Sequence, residues 1–429
     1  MLDIKFIREN PDIVKDGIAK KNSNPKLVDD LLVLDKSWRE LTKNLDILRT
    51  RQNEFSKNRD IQSAQKNKEE IKILEGKLAE VEKERQMVWW QIPNLPSQDT
   101  PVGKDESGNK VLRKWGEPQK FDFEARDHLE IGELLDIIDT ERASKVSGTR
   151  FGYLKGGAAL LEFALVQHAF VVLQDESILK TIADKVKNGY ALKHFVPVVP
   201  PVMIRPDVYR KTARLDAGQE QERYYIASDD IYLIGSAEHT LVALHMDEII
   251  AEDSLPLRYV GFSTSFRREA GSYGKDTKGI LRVHQFDKVE MESFTTPEDS
   301  EKEQEFIVYL QEHLMQSLGL PYQIVAVCTG DMGGPDTRQI DIETWLPGQG
   351  RYRETHSSDL IGAYQPRRLN TRVKRKDGAV EFLHVNDATV FAIGRMIIAI
   401  LENYQQENGS VKVPEVLQKY MGGLKEIKK

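Results

Sequence analysis

Cysteine is nearly absent from this chain of 429 residues, Cys328 being the only one. That excludes a disulfide framework and any zinc cluster built on several thiolates, and it fits a reducing compartment. Aromatic residues are sparse, at 8%. Long apolar runs are missing too. Gly156 to Leu173 is interrupted by Glu162, Gln167 and His168, and Thr389 to Leu401 is short and holds Arg395, so neither is expected to span a bilayer. The N-terminal MLDIKFIRENPD is charged and lacks the apolar centre of a signal peptide, so the expectation is a soluble, cytoplasmic protein. Walker A, Rossmann and GxSxG patterns are absent. So are HExxH and CxxC spacings, and with His239, His245, His284, His356 and His384 scattered, no zinc centre is expected.

Charge is plentiful. The 30% of Asp, Glu, Lys and Arg exceeds the usual quarter and points to long solvated helices. The balance of 61 basic against 68 acidic residues, net −7, taken alone argues against a large polyanionic partner. The length suggests two or three domains.

Residues 26–92 stand apart. Leu27, Leu31, Leu34, Trp38, Leu41, Leu45, Leu48, Gln52 and Phe55 alternate by four and three. After a polar break the pattern resumes through Asn67, Ile71, Leu74, Leu78, Val81, Arg85, Val88 and Ile92. This is the heptad seam of a helix facing a partner helix, and two runs of similar length predict an antiparallel coiled-coil hairpin. Pro93 and Pro96 end the second helix. Residues 26 to 91 carry 14 Lys or Arg and 13 Asp or Glu, so this arm is about neutral within an acidic chain. Such a seam serves oligomerisation or scaffolding as readily as a projecting arm.

The domain boundaries read as 1–100 for the N-terminal domain, 101–120 for a linker rich in Gly, Pro and charge, and 121–429 for the main body. Helical patterns fall at Leu129 to Lys145, Leu160 to Gly189, Ala237 to Ile250, Pro297 to Leu318 and Val390 to Gln405. Strand patterns fall at Leu257 to Phe266, Ile280 to Thr295, Tyr322 to Val327, Arg338 to Leu346 and Arg351 to Ser357. Strands often follow strands, which predicts an α+β antiparallel sheet flanked by helices.

Phe262 to Thr295 is the most informative segment, two strand patterns joined by the polar loop EAGSYGKDTKG. Alternation along the second puts Arg282, His284, Phe286, Lys288 and Glu290 on one face, and Arg267 and Glu269 share a face at the end of the first. Arginines, an aromatic ring and carboxylates on one surface suit a nucleoside triphosphate: guanidinium groups for phosphates, Phe286 to stack a base and a carboxylate for a cation.

FRREAGSYGKDTKGILRVHQFDKVEM resembles motif 2 of the seryl-tRNA synthetases, a class II aminoacyl-tRNA synthetase family. YLIGSAEHTL is similar to the family's serine-binding loop, and DIETWLPGQGRYRETHSSD to its metal-ligating segment. DATVFAIGRMIIAILENYQ resembles motif 3, and FVPVVPPVMI resembles motif 1 with Pro201 at its proline. The helical hairpin resembles the family's tRNA-binding arm, and IPNLP the segment directly after that arm. The resemblance runs through the whole chain, in order, and is nearest the bacterial type. It implies a homodimeric serine–tRNA ligase using ATP, magnesium, L-serine and tRNA(Ser), with tRNA(Sec) a further candidate. It implies that Arg267 contacts the α-phosphate, Glu269 the adenine amino group, Arg282 and Arg395 other phosphates, and that Phe286 stacks the adenine. Ser236, Glu238, Arg267, Glu290 and Thr389 would bind serine, with Glu290 on its ammonium. Glu354 and Ser357 would contact the metal. Their odd spacing puts them on opposite faces of a regular strand, so a bulge or a strand end is expected.

Two departures stand out. The family has threonine where this chain has Ser236, and motif 3 usually carries an asparagine two residues before its serine or threonine, where this chain has Asp387 before Thr389, with Asn386 one position earlier. An aspartate helps near an ammonium and hurts near phosphates. Two rival readings are an inactive paralogue that binds RNA or a partner, and an amino-acid ligase acting on a carrier protein.

Overall fold

The computed structural model describes residues 1–186, 190–215, 219–270 and 279–429. The chain divides into two compact units, Met1–Pro96 and Ser97–Lys429.

In the first unit, α1 (Ile4–Glu9) and α2 (Pro11–Lys20) precede two long helices, α3 (Lys26–Lys57) and α4 (Ile61–Gln91). At 32 residues and about 1.5 Å per residue, α3 is about 48 Å long. Asp60 caps α4, its carboxylate accepting from the Ser63 amide. The helices pack antiparallel along the predicted seam, and its polar members have partners. Asn67 Nδ2 donates to the Leu48 carbonyl (2.9 Å) and to Gln52 Oε1 (2.8 Å), a polar pair of the kind that fixes register. Arg85 donates to Asp35 at 2.9 Å, and Arg8 and Arg39 bind the same carboxylate at 2.7 and 3.1 Å. Burial pushes Asp35 up, but Arg8 and Arg85 outweigh it and hold it below its ordinary value.

In the second unit one sheet dominates. Its strands are β1 (Lys110–Trp115), β2 (Val196–Val198), β3 (Leu257–Phe266), β4 (Gln285–Thr295), β5 (Tyr322–Ala326), β6 (Arg338–Leu346), β7 (Arg351–Gly362) and β8 (His384–Ala392). Their order is β1-β5-β6-β7-β8-β4-β3-β2, and every neighbouring pair is antiparallel except β2 with β3. The expected α+β class holds. The helices α5 (Gly156–Val172), α6 (Glu176–Val186), α7 (Ser300–Ser317) and α8 (Ile393–Asn403) share the main hydrophobic core with this sheet. Arg258 on β3 and Glu303 on α7 form a buried pair at 2.7 Å that ties helix to sheet, and Ser293 adds a hydrogen bond to the same carboxylate. Cys328 is buried. Among the described residues no single helix is long and apolar enough to cross a membrane; the pair α5 and α6, bent by 66°, passes by length and composition only.

Several elements differ from the sequence reading. Within the stretch expected to be a linker, Lys110–Trp115 forms an edge strand on β5, because backbone pairing at a sheet edge tolerates its polar sequence. The pattern at Leu129 to Lys145 splits into helices His128–Leu134 and Thr140–Ser147 around Ile138–Asp139, which pairs with Tyr153–Leu154. Leu160 to Gly189 breaks between α5 and α6, and residues 187–189 lie outside the described ones. Of Ala237 to Ile250 only Glu238–Leu241 is helical. Asp247 sits at a φ of 64° with its amide bonded to the Leu369 carbonyl, and Ile249–Ala251 pairs with Arg372–Lys374. Residues 390–392 belong to β8, and α8 starts only at Ile393. Finally, β4 starts at Gln285 rather than Ile280, because Ile280, Leu281 and Val283 turn into the core.

Candidate active site

The central strands β7, β8 and β4 lie side by side, and two bulges set what faces the site. On β7, Glu354 pairs with Glu343 and His356 with Ile342, so Thr355 is an extra residue. The expected bulge is therefore present, and it brings Glu354 and Ser357 onto one face. On β8, Thr389 pairs with Glu290 and Phe391 with Val289, so Val390 is extra. The result is a row across three strands: Ser357, then Thr389 with the two hydroxyls 3.3 Å apart, then Glu290. Beneath them Gln311 of α7 donates from Nε2 to the carbonyls of Ser357 (2.9 Å) and Thr389 (2.7 Å).

Alternation along β4 puts Phe286, Lys288 and Glu290 on this face, as expected. Arg282 and His284 reach the site differently, since they precede the strand. Arg282 folds over and pairs with Glu269 at 2.9 Å. Glu269 holds a φ of 51°, unusual for a residue with a Cβ. Residues 271–278 of the predicted loop lie outside the described residues. His284 Nδ1 lies 3.0 Å from the Arg267 carbonyl and supports the turn rather than the site.

Arg267 follows β3 directly. Its guanidinium lies 5.3 Å from the Phe286 ring centre, and its Nε donates to the Gly235 carbonyl at 3.1 Å. The Gly235 amide donates in turn to His239 Nδ1 at 3.1 Å, which requires a neutral ring, and burial pushes His239 well below its ordinary value. Burial and the nearby Arg223 also push Arg267 below its usual value, so the field there favours an incoming anion.

Arg395, in the first turn of α8, binds Glu354 through both its carboxylate (3.1 Å) and its carbonyl (3.0 Å). Burial would raise Glu354, but Arg395, Arg267 and Lys288 outweigh it and keep the carboxylate ionised. Arg267, Arg282, Phe286, Glu354, Ser357 and Arg395 line a cavity of about 160 Å³. Glu269 and Thr389 share it, and a neighbouring groove of about 750 Å³ has Arg282, Glu354 and Arg395 in common with it.

Ser236, Glu238 and Glu290 lie deeper. Gly261 on β3 lets the Ser236 loop settle on the sheet, since a Cβ there would sit 2.9 Å from Leu241 and 3.4 Å from Ala237. Lys288, to which the sequence assigned no role, is the missed residue. Its Nζ lies 2.5 Å from Glu290 and donates to Ser236 Oγ at 3.2 Å. Its place between Phe286 and Glu290 on the alternating face was the available signal. Burial raises Glu290 above its ordinary value against the pull of Lys288. Burial would also raise Glu238, yet Arg214 and Lys288 hold it at about 2. Asp387 lies beside Arg214 at 3.2 Å, away from Arg282 and Arg395 at the mouth.

The site therefore joins a cationic cavity with an aromatic wall to a small acidic recess. Comparison with known proteins points the same way. The seryl-tRNA synthetase N-terminal domain family matches residues 1–96, and the class II tRNA synthetase core domain family (G, H, P, S and T) matches residues 224–404. The serine–tRNA ligase of Dictyoglomus turgidum is 41% identical over 434 residues, covering 98% of each chain. That of Thermodesulfovibrio yellowstonii is 44% identical over 355 residues, 82% of this chain and 80% of its own. The crystal structure of seryl-tRNA synthetase from Pyrococcus horikoshii complexed with ATP superimposes with a TM-score of 0.89 at 37% identity, covering 100% of this chain and 99% of that one. With both family domains in place and such identity along its length, the chain belongs to the seryl-tRNA synthetases, a class II aminoacyl-tRNA synthetase family.

Proposed function

We propose that the cavity between β4, β7 and β8 carries out both half-reactions of a serine–tRNA ligase. The serine carboxylate attacks the α-phosphorus of ATP in line, pyrophosphate leaves, and seryl-adenylate forms. The terminal ribose hydroxyl of tRNA(Ser) then attacks the acyl carbon and AMP leaves. The first step needs no general base, since a carboxylate is already the nucleophile, so catalysis rests on positioning and charge stabilisation.

Phe286 stacks the adenine and Glu269 accepts from its amino group. Arg267 takes the α-phosphate where negative charge grows, while Arg282 and Arg395 hold the phosphates beyond it. Glu290 binds the serine ammonium, and Ser236, Glu238 and Thr389 complete the recess that selects the hydroxyl; a missing hydroxyl leaves buried polar groups unpaired. The observation that carries this reading is the joining of a cationic, aromatic-walled cavity to an acidic recess through Arg267 and Lys288. Magnesium fits the same face. Glu354 is an ionised carboxylate and Ser357 a hydroxyl, both hard oxygen donors brought together by the Thr355 bulge. The ion would neutralise phosphate charge there.

The hairpin α3–α4 binds the tRNA body, and its nearly neutral charge favours recognition by shape with a few local cations. Charging of tRNA(Sec) would follow from the same arm if that tRNA presents the same shape. A homodimer accounts for the exposed apolar side chains of Phe163 (65% exposed) on α5 and of Val199 (84%) just after β2. The cytoplasm, where the tRNA is found, suits the free Cys328.

The test is serine-dependent exchange of labelled pyrophosphate into ATP. Phe286→Ala should raise the KM for ATP alone and Glu290→Gln the KM for serine alone; variants that both shift the same KM would refute the division of the site. An inactive RNA-binding paralogue would show no exchange.

A further inference from the structure

Directly below the row Ser357–Thr389–Glu290, one pleat along, lies a second row on the same face. Asp359 on β7 pairs in register with Asp387 on β8, and Asp387 pairs with Glu292 on β4. All three are buried, at 7%, 1% and 0% exposure. The Arg214 guanidinium lies against two of them, Asp359 and Asp387. Arg214 binds Glu238 through Nε, and its NH2 group lies 3.2 Å from Asp387 and 3.8 Å from both Asp359 and Asp336. Gln365 also donates to Glu238, at 3.3 Å.

Arg214 is shared among Glu238, Asp387, Asp359 and Asp336, and burial disfavours the charged form of acids packed this closely. The partition depends on position. Glu238 has the strongest contact with Arg214 and stays ionised. Asp387, flanked in register by an acid on either side, is raised well above its ordinary value by burial and then by the neighbouring Glu238; Glu292 moves the same way. A protonated aspartate offers one O–H donor and one carbonyl acceptor, the pattern that a carboxamide presents. An asparagine at this position would present the same pattern, whereas a leucine would present none of it.

We propose that Arg214 is a positioning residue for serine selection, holding Glu238 and Asp387 as one hydrogen-bonded floor beneath the amino-acid recess. This rests on the assignment of the recess to serine. Arg214 itself need not touch serine; it acts through the two acids, and its loss would free Glu238 to rotate or to take a proton.

Pyrophosphate exchange by the full-length chain, with KM for serine and for ATP measured separately, tests the proposal. Arg214→Gln should raise the KM for serine by about 10- to 100-fold, the range expected for losing a hydrogen bond to a charged group, with the KM for ATP little changed. Asp387→Asn should retain most of the serine affinity, and Asp387→Leu should show the same loss as Arg214→Gln. Equal shifts in both KM values, or no shift, for Arg214→Gln would overturn the proposal, as would Asp387→Asn proving as defective as Asp387→Leu. If Arg214→Gln does not fold, the two Asp387 variants decide alone. Glu290→Gln serves as the control: should it leave the KM for serine unmoved, the recess itself is misassigned, whereas its moving that KM while Arg214→Gln does not overturns only the role of Arg214.

Discussion

Glu354 and Ser357 project from the same face of β7 despite their odd spacing, because Thr355 is an extra residue on its strand. The bulge turns an unpromising spacing into a pair of oxygen donors beside Arg395. Glu354→Gln keeps the shape but removes the charge. We expect kcat for pyrophosphate exchange to fall by about 10²- to 10³-fold, as when one preorganised electrostatic contact is lost. A fall smaller than tenfold would remove Glu354 from the reaction.

Glu290 must be ionised to hold an ammonium, and burial raises its pKa while Lys288 and Arg267 oppose the rise. Serine binding is therefore full above that raised value and is lost as pH falls through it, at a higher pH than for an ordinary glutamate near 4.3. Lys288→Met removes the main opposing charge, so the KM for serine should begin to climb at a higher pH still. Coincident KM–pH profiles for parent and variant would contradict the pairing.

In the hairpin, Asp35→Ala leaves Arg85, 11% exposed, without its carboxylate. Removing one partner of a buried pair costs about 3–5 kcal/mol, which hydrogen exchange along α3 and α4 of the full chain would register. The folded pKa of Asp35 is depressed, so its contribution is complete above the unfolded value of about 3.9 and is lost as pH falls toward the lower folded value. Protection of the arm that is indifferent to pH between 5 and about 2 would show that Asp35 does not contribute in this way.

Replacing residues 26–92 by a short linker should leave serine-dependent pyrophosphate exchange intact. Charging of tRNA should drop by about 10²- to 10⁴-fold, the range expected when one of two linked contacts is removed. Undiminished charging would take the tRNA away from the arm.

Aspartate at both Phe163 and Val199 should shift the chain from dimer to monomer in sedimentation velocity. A parent chain that sediments as a monomer would dispose of the dimer directly.

The hairpin was legible because its code is local: a four–three alternation specifies a seam, and Gln52, Asn67 and Arg85 could be seen interrupting it before their partners were known. Much of the site was legible for a similar reason. Alternation along β4 groups Phe286, Lys288 and Glu290, and the odd spacing of Glu354 and Ser357 already required a bulge. The periodicity failed at Ala237 to Ile250 and at Ile280 to His284, where hydrogen bonds to distant segments and burial of Ile280, Leu281 and Val283 override local preference. Net charge also misled, since the −7 says nothing of where the charges lie.

By itself the sequence determined the two-part organisation into a helical arm and an antiparallel sheet, together with the grouping of Phe286, Lys288 and Glu290 on one strand face, since both arise from short-range periodicity. Tertiary structure alone decided that Lys288 bridges Ser236 and Glu290, that Arg214 lies under the recess, and that Asp387 stands between Asp359 and Glu292. Those relationships join residues far apart in the chain through strand register, and the upward shift of Asp387 comes from burial and from Glu238 beside it, which no local pattern encodes.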